Sequence, residues 1–97
     1  MAKGYWISSY KSISNLEKLT EYAKLAGPAV QAGGGRFLAR GNPVKTYEEG
    51  INLRIVVIEF ESVEKAIETF ESPAYRAAVK VLDGGGERDI RIVAGTS

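Results

Sequence analysis

Histidine and cysteine are both absent from this chain of 97 residues. Without histidine it lacks the side chain best suited to proton transfer near neutral pH. Without cysteine it has no thiolate nucleophile, no disulfide and no Cys/His zinc site. A cytoplasmic location is then the default expectation. Acids, bases and nucleophiles have to come from Asp, Glu, Tyr, Lys, Ser and Thr. A metal would need an all-oxygen site, and no clustered run of carboxylates suggests one, so neither metal nor cofactor is expected. Long apolar runs are missing as well: the longest are strand-length, which argues against a membrane-spanning helix. Met1-Ala2-Lys3-Gly4 leads straight into a strand pattern with no signal-peptide signature. Thirteen Lys plus Arg balance twelve Asp plus Glu, for a net charge of +1. With no block of like charge, neither nucleic acid nor membrane is an expected partner.

What is present points first to assembly. A chain of this length makes one domain, residues 1–97, burying roughly 60–70% of its unfolded surface. Leu53–Phe60 reads Leu-Arg-Ile-Val-Val-Ile-Glu-Phe. Alternation puts Ile55, Val57 and Glu59 on one side and Val56, Ile58 and Phe60 on the other. A strand apolar on both sides needs cover on both.

The rest of the pattern supplies cover for one side only. Gly4–Tyr10 is aromatic-rich and reads as a first strand. Ser14-x-x-Glu17 reads as a capping box opening a helix near Asn15, with Leu16, Leu19, Tyr22, Ala23, Ala26 and Val30 on one face. Gly27-Pro28 predicts a kink in it. Gly33-Gly34-Gly35 ends the helix, and Arg36–Arg40 starts a second strand. Gly41-Asn42-Pro43 breaks or bulges that strand, and Val44–Glu48 continues it to a tight turn at Glu49-Gly50. After the 53–60 strand, Ser62 caps a helix carrying Val63, Ala66, Ile67 and Phe70. Ser72-Pro73 restarts it through Ala74, Ala78 and Leu82. Gly84-Gly85-Gly86 closes the helix, and Arg88–Val93 is the last strand.

The order β-α-β-β-α-β predicts an α+β fold, the ferredoxin-like plait: a four-stranded antiparallel sheet with two helices on one face. The bare face is expected to pair with a second copy of the chain, giving a homodimer.

Several blocks carry a family resemblance over nearly the whole chain. They are Gly4-Tyr5-Trp6-Ile7, Gly34-Gly35-Arg36-Phe37-Leu38-Ala39-Arg40-Gly41, Val57-Ile58-Glu59-Phe60, Ser72-Pro73-Ala74-Tyr75 and Arg88-Asp89-Ile90-Arg91-Ile92-Val93. Together they resemble the DUF1330 family, small bacterial proteins of the dimeric α/β-barrel superfamily. The resemblance implies that fold and a dimer. It also implies kinship with cofactor-independent monooxygenases of polyketide quinones, muconolactone isomerases and haem-binding members, which use a cavity between sheet and helices. This chain departs from the family look at Asn42, at Asn15-Leu16 and at Thr69-Phe70.

Two sets of candidate site residues follow. If the turn at Glu49-Gly50 sets the hairpin register, Arg40 faces Glu59. Arg40 would then bind an anionic or enolate oxygen, with Glu59 as its partner or as a base that needs desolvation. A structural salt bridge is the competing reading. Tyr5, Trp6, Tyr10, Tyr22 and Tyr75 are candidates to line a pocket for a planar organic ligand, the phenols as hydrogen-bond donors, against ordinary packing as the alternative. Asp89, beside Arg88 and Arg91, reads as part of a solvated, charged strand edge. Both triple-glycine runs follow helices and precede strands, so they are helix ends rather than phosphate loops. The expected function is to bind or transform a small organic molecule without a cofactor, and the alternative is a non-catalytic dimeric module.

Overall fold

Trp6, Val56, Ile58 and Phe60 share one face of a sheet, and there they meet Ala26, Val30, Ala66, Tyr75 and Ala78 from the helices to make the core. The structure, a computed structural model, describes residues 2–96; Met1 and Ser97, the ends of the expected domain, lie outside the described residues. The elements run β1 (Gly4–Ile13), α1 (Leu16–Ala32), β2 (Arg36–Gly41), β3 (Ile55–Phe60), α2 (Val63–Glu71), α3 (Pro73–Leu82) and β4 (Gly86–Ala94). The four strands form one antiparallel sheet in the order β2-β3-β1-β4. This is the ferredoxin-like α+β fold. The shortest dimension, 16 Å, matches one sheet and one helical layer.

Capping chemistry sets the helix ends. The Asn15 side chain, rather than the expected Ser14, accepts from Lys18 N at 3.1 Å. Ser14 instead donates to the Gly84 carbonyl at 3.1 Å and ties the start of α1 to the end of α3. Ser62 caps α2, as its sequence predicts. Ser72 ends that helix and caps the next, with Pro73 in its first turn, so the expected second helix is two. α1 continues as one helix across Pro28. On α1, Leu16 is exposed, whereas Leu19, Tyr22, Ala23, Ala26, Gly27 and Val30 line a cleft against the sheet.

Close approach explains one glycine of the first triplet. A Cβ on Gly35 would sit 2.6 Å from Val30 Cγ1 and 2.7 Å from Phe60 Cζ, so the chain leaves α1 and enters β2 only without a side chain there.

The second hairpin differs from the sequence reading. Residues 42–54 form no strand; Val44–Glu48 is irregular, and β3 begins at Ile55. A turn does close at Tyr47–Gly50, but no ladder flanks it, so it sets no register. Pairing starts from β2 itself: Arg36 faces Glu59, the ladder slips between Phe37 and Ala39, and Arg40 faces Val56. The expected Arg40–Glu59 pair is therefore replaced by Arg36–Glu59. Because a strand alternates faces, this odd offset sends Arg40 to the helix side and Glu59 to the open side.

Candidate functional site

Four elements deliver polar side chains to one point between the sheet and the helices. Tyr10 and Arg88 are cross-strand partners on β1 and β4, both in phase with the core-facing residues of their strands. Tyr22 comes from α1 and Tyr75 from the first turns of α3, fixed by the Ser72–Pro73 cap. Arg88 Nη1 donates to the Tyr22 phenol oxygen at 2.7 Å and to that of Tyr10 at 3.4 Å, and Nη2 donates to Tyr75 at 3.1 Å. The Tyr22 and Tyr75 phenols also bond each other at 2.5 Å. The Trp6 indole lies edge-on to Tyr75, 4.9 Å between centroids, and stacks on Phe60 at 6.0 Å, so a rigid aromatic floor holds the cluster.

Arg88 has no carboxylate partner among the described residues. Burial works against its charge, but the surrounding phenol oxygens outweigh this and hold its pKa above the ordinary guanidinium value. Burial likewise pushes the Tyr75 phenol up, reinforced by Tyr22. Burial also raises Tyr10, against the opposing charge of Arg88. The centre is a guanidinium packed among phenols. Its donors outnumber its acceptors. The three Arg88 bonds use both hydrogens of Nη1 and one of Nη2, so the second Nη2 hydrogen and the Nε hydrogen are not taken up by these phenols.

Tyr10, Tyr22 and Arg88 line a cleft between α1 and the sheet, and Tyr75 is buried behind them. Ala23, Ala26 and Gly27 make the helical wall, and their small side chains leave the space open opposite Phe37 and Ile58. The cleft opens to solvent at its mouth. Its interior admits water-sized spheres over only about 40 Å³, room for roughly three waters. Arg40 and Arg54 also line it, and no Asp or Glu does. Arg40 lies over the Phe37 ring at 4.5 Å. The Ser8 hydroxyl, in the same wall, is buried with no hydrogen-bond partner. A larger groove on the outer surface of α2 and α3 is lined by charges of both signs (Glu71, Arg76, Lys80, Asp83) and is shallower.

Of the residues singled out in the sequence, Arg40, Tyr10, Tyr22 and Tyr75 come together on this side of the sheet. Glu59 and Tyr5 are on the other. There the Tyr5 phenol donates to Glu59 Oε2 at 3.3 Å, and Lys3 and Arg36 reach Oε1 at 3.4 and 3.1 Å. Partial desolvation favours the protonated acid, but Lys3, Arg36 and Tyr5 outweigh it and hold the carboxyl below its usual range. Arg88 and Ser8 were missed. Their signal is phase: Arg88 alternates with Ile90 and Ile92, and Ser8 with Trp6 and Tyr10, so all four strand neighbours predict the covered face.

A protein-family model described as a domain of unknown function, DUF1330, matches residues 3–96. The chain belongs to the DUF1330 family. No curated protein matches it. Among solved structures it is similar to a protein of unknown function from Rhodopseudomonas palustris, with TM-score 0.75, 15% identity, and coverage of 99% of this chain and 84% of that one. A dimeric ferredoxin-like protein of unknown function from Thermobifida fusca matches with TM-score 0.68 at 14% identity, covering 96% and 91%. SnoaB, a cofactor-independent oxygenase from Streptomyces nogalater, matches with TM-score 0.68 at 7% identity, covering 100% and 96%. At these identities the likeness of DUF1330 chains to such structures is one of fold.

Proposed function

We propose that this DUF1330 protein is a homodimer that binds a small organic anion in the cleft between α1 and the sheet. The observation that carries the reading is the surplus of donors around Arg88, a guanidinium in a recessed cleft that forms no ion pair among the described residues. Arg88 anchors a carboxylate or enolate oxygen, the free phenol hydrogens complete its shell, and Trp6, Tyr22 and Phe37 favour a planar body. Arg40 adds positive charge at the mouth. Donors aimed at one oxygen also stabilise charge developing there, so the site suits an enolisable ligand. No Asp, Glu or His lines the cleft to take a proton. Glu59 serves instead as the centre of an ion-pair cluster on the open sheet face.

A second copy covers that face. Ile7, Ile55, Val57 and Val93 lie there in adjacent register positions, and the Thermobifida fusca protein and one from Bacteroides fragilis are described as dimeric. Thermal-shift assays with benzoate and other small aromatic carboxylates test the site. Millimolar carboxylate should raise the Tm of the parent and leave Arg88→Met unmoved. An equal rise in both proteins, or no rise with any carboxylate, would overturn the reading.

A further inference from the structure

Arg88 is one of three cationic side chains on the cleft wall, and the other two are some distance from it. Tyr10 N donates to the Arg54 carbonyl at 3.0 Å, which sets Arg54 beside Tyr10 on the flank opposite Arg88. Arg54 and Arg88 are thus two strand spacings apart at the backbone, roughly 10 Å. Arg40 faces Val56 on the far side of β3 and opens onto the same space. Neither Arg40 nor Arg54 forms an ion pair among the described residues.

Three guanidiniums on one concave wall with no acid among them repel one another, and an anionic ligand relieves that repulsion. Between the poles, Ser8 presents a buried hydroxyl with nothing to bond. It occupies the row next to Tyr10, facing Val56 on one side and Ile90 on the other. The narrow interior admits one end of a ligand, and the rest extends to the mouth where Arg40 and Arg54 stand.

Building on the anion site of the preceding section, we infer that the ligand is an organic diacid. One carboxylate pairs with Arg88 and the other with Arg40 and Arg54, and its middle passes Ser8. A monoacid would neutralise Arg88 and leave Arg40 and Arg54 without a counter-charge.

Calorimetric titration of the dimer with terephthalate against benzoate, and with straight-chain dicarboxylates against monocarboxylates of equal length, tests this. The best diacid should bind about tenfold more tightly than its matched monoacid. Arg40→Gln with Arg54→Gln should abolish that advantage, leaving diacid and matched monoacid with the same Kd to within about twofold. Both positions are at the mouth, and circular dichroism checks that the doubly substituted protein is folded. Equal affinity for diacid and monoacid, or an advantage that survives the double substitution, overturns the diacid inference and leaves the anion site standing. Failure of every acid to bind overturns both.

Discussion

Arg88 on β4 and Tyr75 on α3 are joined by a 3.1 Å hydrogen bond, and through it the edge of the sheet is locked to the helical layer at the floor of the cleft. The same phenol bonds Tyr22, so β4, α1 and α3 meet at one polar knot. Tyr75 is further fixed by its edge-on packing against Trp6, and this stiffens the cluster.

Removing a single oxygen from the knot should loosen it measurably. Tyr75→Phe keeps the ring against Trp6 but loses the bonds to Tyr22 and Arg88. Urea unfolding is expected to show a loss of about 1–3 kcal/mol, since one of the lost partners is charged. No change in stability would mean that the bonds are not formed in solution.

Gly35 tests the packing independently of the cleft chemistry. Gly35→Ala drives a methyl into Val30 and Phe60 and should cost about 1–3 kcal/mol by overpacking. Thermal unfolding reads this directly, and an unchanged Tm would place the β2 entry elsewhere.

The helix-free sheet face predicts the oligomer. Val57→Asp sets a charge amid Ile7, Ile55 and the partner copy, and light scattering at micromolar concentration should fall from twice the chain mass to one. A parent protein that is already monomeric and well folded would refute the dimer.

Glu59 predicts a pH dependence with a definite sign. Its folded pKa lies below the ordinary 4.5 because Lys3, Arg36 and Tyr5 favour the carboxylate. A depressed pKa contributes stability that is fully present above the unfolded value and is lost as pH falls through the folded one. Urea midpoints between about pH 6 and about pH 3 should fall less steeply for Glu59→Gln than for the parent. Parallel profiles would show that the carboxyl is not held in this way.

Much of this fold was legible in the residues. Alternation in Ile55–Phe60 and the Ser72–Pro73 cap gave strand and helix positions that the structure repeats, because both signals act over a few neighbouring residues. The β2–β3 register was not. It depends on a slip at Leu38 and on a long irregular loop, and a turn-based count carries no information once the turn has no ladder. The site divided in the same way. Tyr10, Tyr22 and Tyr75 were visible as aromatics, but their meeting point is set by the packing of α1 on α3. Arg88 stands between Glu87 and Asp89, and that charged run looked solvated although its phase with Ile90 and Ile92 pointed inward.

The central claim is that an organic anion is held on the helix side of the sheet at the Arg88 knot. Titration of ring-13C-tyrosine-labelled protein with benzoate, followed by NMR, tests it most directly, because the tyrosines report from separate places. Saturable shifts at Tyr10, Tyr22 and Tyr75, with Tyr5 and Tyr47 unmoved, are the predicted result. Shifts at Tyr5 alone, or none at the three knot tyrosines, would contradict it.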